Sequence, residues 1–155
     1  MKYTEIYMMN HDIDWFCVVN GIYIHVASAG GMLPNSINNI DKLKDMQHQV
    51  QMLPDIYSDE EIEYNDHAII NVVGENNFKA RQQYVESFVA MARKGFASFD
   101  RTNISEFSNN QYHLVCWPKG FERKPQGLEL FNPKIDNDKK EEDILFVTLH
   151  GLIEK

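Results

Sequence analysis

An Asn20-Gly21 pair lies between two apolar runs, DWFCVV before it and IYIHVA after it, and it is the feature that most constrains the fold. Both central residues of a type I′ turn need φ above zero, and Asn-Gly adopts this conformation at little cost. The pair therefore predicts a β-hairpin with a two-residue turn. So short a turn also determines the register, which places Phe16 opposite His25.

This register gives the hairpin two unlike faces. The first face is wholly apolar and is predicted to lie on the core; it consists of Trp15, Cys17, Val19, Ile22, Ile24 and Val26. The second face is amphipathic and consists of Phe16, Val18, Tyr23, His25 and Ala27. Because this second face is neither polar nor wholly apolar, we expect another element of the chain, or a partner, to cover part of it.

Helical periodicity predicts two or three helices after the hairpin. Residues 40–53 carry apolar side chains at helical spacing behind a cap at Asn38 or Asn39. Residues 78–94 repeat the pattern between an asparagine cap and a terminal glycine, and they form the clearest helix. Its predicted buried face is Phe78, Val85, Phe88, Val89 and Ala92. Residues 59–73 begin with a capping-box spacing but fit either a helix or a strand.

The remaining segments are predicted to be β structure. Strands are expected at 96–99, 112–117 and 143–153, with a short strand around LELF inside the irregular segment 119–140. Strands and helices do not alternate along the chain. This order favours an α+β fold, with a mainly antiparallel sheet opened by the N-terminal hairpin and two or three helices packed on one face. Residues 1–155 are expected to form a single domain.

Composition and charge argue against several classes of protein. There is no apolar run of the roughly 20 residues that a membrane helix needs, and the N-terminal segment does not resemble a signal peptide, so we expect a cytoplasmic protein. The net charge is −8; residues 79–124 hold eight basic and four acidic side chains, a net +4, so the rest carries −12. Phosphate backbones repel an acidic protein, so nucleic acid is not the expected partner. The alternative is a protein that binds nucleic acid through the basic residues of 79–124.

No motif in the sequence predicts a metal or a cofactor. Cys17 and Cys116 lie in apolar runs typical of free, buried thiols, and there is no Cys/His cluster. The phosphate-loop, dinucleotide, HExxH and GxSxG motifs do not occur, and no spacing indicates a Ser-His-Asp constellation. Asp12 and Asp14 point to one side of an extended segment, but the sequence places no third acid beside them. We interpret them as a polar lead-in to the hairpin.

Two strand histidines, His25 and His113, could form an acid–base pair. The segments HVAS at 25–28 and HLVC at 113–116 resemble the His-apolar-Ser/Thr-apolar motifs of two-histidine phosphoesterases. Both segments lack the hydroxyl at the third position, which would bind phosphate. The chain is therefore not assigned to that family, and we interpret each histidine as a half-buried strand residue with a hydrogen-bond partner.

Arg101 follows the strand predicted at 96–99 and could hold a phosphate or a carboxylate with two hydrogen bonds. Adjacent residues of an extended strand point to opposite faces, so Asp100 and Arg101 need not share a site. The alternative interpretation is a turn in which Asp100 and Thr102 bond their own backbone.

The expected function is binding rather than catalysis. The sheet carries more aromatic side chains than a one-sided sheet needs, and aromatic residues are enriched in protein interfaces. We expect a small protein of bacterial cytoplasmic type that binds another protein or its own copy through Phe16, Tyr23 and His25, with Arg101 and His113 as polar additions. The alternative is a hydrolase or phosphodiesterase-like enzyme in which His25 and His113 exchange protons and Arg101 holds an anion.

Overall fold

A computed structural model describes residues 1–19, 21–109 and 111–128. The elements in these ranges are, in chain order, α1 (Glu5–Met9), β1 (Asp14–Val19), β2 (Ile22–Ala27), α2 (Ile40–Gln51), β3 (Ile62–Tyr64), α3 (Asp66–Val73), α4 (Phe78–Arg93), β4 (Ala97–Arg101) and β5 (Tyr112–Pro118). The strand predicted at 143–153, and all of LELF except its first residue, lie outside the described residues. Among the helices in the described ranges, none is both long enough and apolar enough to cross a membrane.

The five strands of the described ranges form one sheet in the order β1-β2-β4-β5-β3. Neighbouring strands are antiparallel except β2 and β4, which are parallel. The predicted α+β fold, with a mainly antiparallel sheet and an N-terminal hairpin, is confirmed. The hairpin has the predicted register, with Phe16 opposite His25, and Gly21 has the positive φ of +77° that its turn requires.

Asparagine side chains begin three of the helices. Asn39, Asn65 and Asn77 each accept a hydrogen bond from a backbone N–H of the first helical turn, at 3.1, 3.4 and 3.2 Å. Each bond satisfies one of the N–H groups that a helix start leaves without a partner, so the caps at Asn39 and Asn77 confirm the predicted starts. The undecided segment 59–73 divides into a 3-10 turn, the strand β3 and the helix α3.

The apolar core divides into two clusters. The first joins the apolar face of the hairpin to α2; its members include Trp15, Cys17, Ile24, Val26, Leu43, Met46 and Val50. The second joins α4 to the other face of the sheet; its members include Ala27, Val85, Phe88, Val89, Ala92, Val115 and Cys116. Burying one side chain such as Phe88 stabilises the fold by about 1.5–3 kcal/mol. Phe78 was predicted to be buried but is 79% exposed, because the buried residues of α4 begin only at Val85.

An irregularity between β4 and β5 overturns the simple alternation expected in YHLVCW. Ser98 pairs with Cys116 while its neighbour Phe99 pairs with Leu114, so β5 has one extra residue at this point. Val115 and Cys116 consequently both belong to the cluster under α4, whereas Trp117 packs against the first cluster. Trp117 therefore lies on the opposite face of the sheet from His113, whereas strict alternation along β5 would place both on one face.

Cys17 and Cys116 are free and buried, as predicted from their apolar neighbours. Burial raises the pKa of the Cys116 thiol to about 12 and raises the pKa of the Cys17 thiol as well. Both thiols are therefore protonated at neutral pH and are poor nucleophiles.

Candidate functional site

The residues predicted to bind a partner lie mainly inside the protein. Phe16, His25 and Arg101 are 1%, 2% and 3% exposed. The element that covers the second hairpin face is α4, whose Phe88 ring lies 6.0 Å from the His25 ring. The expectation that another element covers this face is met, and Phe16, His25 and Arg101 are packed inside the protein, whereas Tyr23 and His113 are partly buried.

The first polar cluster on this face, the inner network, consists of Asp14, His25 and Ser98. His25 Nε2 lies 2.8 Å from Asp14 Oδ1, and His25 Nδ1 lies 2.6 Å from Ser98 Oγ. An ionised carboxylate only accepts hydrogen bonds, so Nε2–H donates to Asp14 and the Ser98 hydroxyl donates to Nδ1. The sequence did not indicate this Ser-His-Asp constellation, because Ser98 is 73 residues from His25. Ser98 is wholly buried, so no substrate atom can reach its oxygen.

The second polar cluster, the outer network, consists of Asp100, Tyr84, His113 and Thr102. Tyr84 Oη lies 2.7 Å from Asp100 Oδ2 and 2.9 Å from His113 Nε2, and Thr102 Oγ1 lies 3.0 Å from His113 Nδ1. The single hydroxyl hydrogen of Tyr84 is donated to Asp100, so His113 Nε2–H donates to the Tyr84 oxygen. His113 Nδ1 is then an acceptor, and the Thr102 hydroxyl points its hydrogen at it.

The outer network reaches the surface at Thr102. Thr102 is exposed, whereas Tyr84, Asp100 and His113 are partly buried. Burial lowers the pKa of His113, with the Asp100 charge opposing it, so the imidazole is neutral at pH 7. Burial also raises the pKa of Asp100, against the Tyr84 hydrogen bond and His113, and it raises the pKa of the Tyr84 hydroxyl. The uncharged imidazole of His113 therefore lies within hydrogen-bond distance of the accessible Thr102 hydroxyl.

The sequence reasoning missed Tyr84 and treated Thr102 only as a turn residue. Tyr84 carried a usable signal, since it lies four positions before the buried Phe88 and therefore on the side of α4 that faces the sheet. A tyrosine in that stripe brings a hydroxyl to the sheet surface. Asp100 and Arg101 lie within β4 rather than in the predicted turn, although Asp100 Oδ1 does accept the backbone N–H of Arg101, at 2.9 Å.

The guanidinium of Arg101 belongs to neither network. It donates to the carbonyl oxygens of Glu106, Ile104 and Ala29 at 2.9, 3.1 and 3.2 Å. Gly31 lies against it so closely that an added Cβ would be 2.6 Å from Arg101 Cδ. The prediction that Arg101 and Asp100 need not share a site is confirmed. The predicted anion clamp does not fit this geometry, because the side chain is buried and bound to four backbone carbonyls, that of Phe107 at 3.5 Å being the fourth.

His25 and His113 do not form one acid–base pair. Along β4, His25 is in register with Ser98 and His113 with Asp100, and the two histidines lie on strands on either side of β4. Strand spacing and rise per residue put their Cα atoms roughly 12 Å apart. They share no hydrogen-bond partner among the described residues, so the mechanism with two cooperating histidines is not supported.

Asp12 and Asp14 have separate contacts. Asp12 accepts the backbone N–H of Ala29 at 2.9 Å, and Asp14 accepts from His25. Within residues 1–19, 21–109 and 111–128, no three side chains of His, Cys, Asp or Glu converge in the way that metal ligands do.

The positive charge of residues 79–124 is partly offset by acids from outside that segment. Three ion pairs do this: Arg81 with Asp66, Arg93 with Asp59, and Arg123 with Glu61. Exposed pairs of this kind add little to the stability of the fold, but they reduce the field that would attract a phosphate backbone.

Comparison of the chain with protein-family models, with curated proteins and with solved structures finds no match.

Proposed function

We propose that the protein is a hydrolase in which His113 transfers protons at the end of the sheet. The observation that carries this proposal is the contact between His113 Nδ1 and the exposed Thr102 hydroxyl, 3.0 Å apart, with the other ring nitrogen held by Tyr84. A base within hydrogen-bond reach of an accessible hydroxyl, and oriented by a third group, is the usual arrangement for hydrolysis through an activated oxygen.

Each member of the outer network has a defined part in this proposal. His113 takes a proton on Nδ1 and later returns it to the leaving group. Tyr84 holds the ring orientation through Nε2, and the Asp100 charge behind Tyr84 stabilises the imidazolium that forms. Two protonated, buried cysteines fit the expected cytoplasmic location, where thiols stay reduced.

The test is ester hydrolysis by the full chain, with 4-nitrophenyl acetate as the probe and bis(4-nitrophenyl) phosphate for comparison. We expect His113→Gln to lower kcat/KM for the acetate by about 100-fold or more, the usual contribution of a positioned base. His67→Gln is the matched control, since His67 is an exposed histidine of α3, and it should leave the rate unchanged. Equal rates for wild type and His113→Gln would overturn the proposal.

A second candidate function is self-association through the turn between α3 and α4. Phe78 is 79% exposed there, close in sequence to the exposed Ile70 and Val72. Exposed apolar groups of this kind mark interaction surfaces. The occupant proposed is a second copy of the chain, because Glu75 and Lys79 are both exposed beside Phe78 and would pair across a two-fold axis.

Sedimentation velocity tests this second candidate. Phe78→Ser should shift the protein toward monomer, whereas Met52→Ser, at a residue 73% exposed after α2, should not. A wild-type protein that stays monomeric at every concentration would contradict self-association.

A further inference from the structure

We propose that Thr102 is the nucleophile of this site and that its substrate is an uncharged or cationic carboxylic ester, which transfers its acyl group to the Thr102 oxygen. This inference rests on the proposed hydrolase function of His113 and adds to it the attacking atom and the substrate class.

The position of Thr102 makes it the hydroxyl best placed to react. It follows β4 directly, its backbone N–H donates to the carbonyl of Gln111 at 2.8 Å, and its hydroxyl lies 3.0 Å from His113 Nδ1. On the preceding residue, the Arg101 guanidinium binds the carbonyls of Ile104 and Glu106 and so holds the segment that follows Thr102. A hydroxyl fixed in this way loses little conformational entropy when it attacks.

The hydroxyl of Ser98 makes the same contact with a histidine but cannot compete. Ser98 is wholly buried, and His25 beside it is 2% exposed. An ester carbonyl can therefore approach the Thr102 oxygen and cannot approach the Ser98 oxygen.

The acylation and deacylation steps balance in protons and bonds. The Thr102 hydroxyl gives its proton to His113 Nδ1 while its oxygen bonds to the ester carbonyl carbon. The bond from that carbon to the alcohol oxygen then breaks, and His113 returns the proton to the departing alcohol. A water molecule next gives a proton to His113 and attacks the acyl carbon. The bond from that carbon to the Thr102 oxygen then breaks, His113 returns the proton to this oxygen, and the carboxylic acid leaves.

The charges around the outer network favour an uncharged or cationic substrate. Asp100 belongs to the network, and the charge of Asp12 is close enough to act on Asp100. Asp14 is also 48% exposed at its side chain, at the same end of the sheet. Arg101 points to backbone carbonyls instead, so among the described hydrogen-bond partners of Thr102, His113 and Tyr84 there is no cation to hold a phosphate.

Acyl transfer is tested with the full chain and 4-nitrophenyl acetate. We expect an initial burst of one 4-nitrophenol per chain, and intact-mass and peptide analysis should find one acetyl group on residue 102. Thr102→Val keeps the branched shape at an exposed position and should abolish both signals, whereas Thr102→Ser should keep them. Ser105→Ala is the matched control, because Ser105 is an exposed hydroxyl in the same segment whose hydrogen bond goes to Asn103.

The outcomes separate this inference from the function on which it rests. If Thr102→Val hydrolyses the ester at the wild-type rate while His113→Gln does not, then His113 activates water directly and the assignment of Thr102 as the nucleophile is wrong. If wild type and His113→Gln hydrolyse equally, the hydrolase function itself fails. An acetyl group found on any residue other than 102 also overturns the inference.

The substrate class has its own test. Acetylcholine, a cationic carboxylic ester, should have a higher kcat/KM than the anionic 4-nitrophenyl hydrogen succinate, each normalised to the uncatalysed rate of its own hydrolysis. The advantage should shrink as salt is added, since salt screens exposed carboxylates. A preference for the anionic ester would overturn the assigned class.

Discussion

The inner and outer networks use similar groups in similar order, yet they differ in what they can do. In both, a hydroxyl donates to histidine Nδ1 and the histidine Nε2–H donates away from it, directly to Asp14 in one and through Tyr84 toward Asp100 in the other. The difference is the exposure of the hydroxyl. Ser98 is wholly buried and Thr102 is exposed, so only the outer network can meet a substrate.

The position of each hydroxyl along β4 explains this difference. Ser98 lies within β4, between β2 and β5 and on the face covered by α4, so every direction of approach is blocked. Thr102 comes one residue after β4 ends, where the sheet surface gives way to a loop. The two networks therefore have different roles although their groups are alike. The inner network stabilises the fold, and the outer network is a candidate reaction site.

The largest expected effect is on stability, in the inner network. His25→Ala should lower the free energy of unfolding by about 3 kcal/mol, because it leaves a cavity and removes the partner of the buried Ser98 hydroxyl. His113→Ala should cost about 1 kcal/mol, since Thr102 can bond water instead. Urea unfolding measures both. Equal losses would show that the two networks do not differ in the way described.

A smaller effect is expected where the segment after Thr102 is anchored. Gly31→Ala would place a Cβ 2.6 Å from Arg101 Cδ and force the guanidinium away from its carbonyls. We expect a loss of about 2 kcal/mol in unfolding free energy and a lower rate of ester hydrolysis. Gly74→Ala is the control for hydrolysis: a Cβ there meets nothing within 4 Å, and its φ of +82° and ψ of 169° should cost about 1–3 kcal/mol of backbone strain without changing the rate. If Gly31→Ala hydrolyses the ester at the wild-type rate, the contacts of Arg101 do not contribute to the reaction site.

The smallest expected effect is the pH dependence of the outer network. Burial lowers the pKa of His113 below its ordinary 6.5, so the unfolded chain takes up a proton before the folded chain does as pH falls. The contribution of His113 to stability is therefore complete above pH 6.5 and declines below it, down to the folded-state pKa. The groups that face this ring are Tyr84 from α4, Asp100 from β4 and Thr102.

Activity should follow the same ionisation. Hydrolysis should stay level above pH 6.5 and fall only below it, and the unfolding free energy of His113→Gln should lose this part of its pH dependence. Asp100 acts in the opposite direction, because burial raises its pKa above the ordinary 3.8 and the folded chain takes up a proton first as pH falls. The contribution of Asp100 to stability therefore rises from the folded-state pKa down to pH 3.8. Rates and urea unfolding measured across the acidic range check both signs. A midpoint of the rate profile above 6.5 would contradict the assignment to His113.

Part of the candidate site could be predicted from the sequence. His113 was named from its place within a predicted strand and Asp100 from its place just after another, and the prediction that Asp100 and Arg101 need not share a site is confirmed. The pairing of His25 with His113 was wrong, because alternation within each strand does not say which strands become neighbours. The prediction that Arg101 holds an anion also failed. Its carbonyl partners lie in loops, and a local sequence pattern does not predict how those loops fold.

The sequence by itself determined the hairpin, its register and the starts of the helices at Asn39 and Asn77. Turns and caps depend on groups a few residues apart, so local conformational preference is enough to specify them. Only the tertiary structure decided that β4 lies beside β2, that β5 carries an extra residue, and that one hydroxyl is buried while the other is exposed. These outcomes join residues far apart in the chain, and they depend on how α4 packs across the whole sheet.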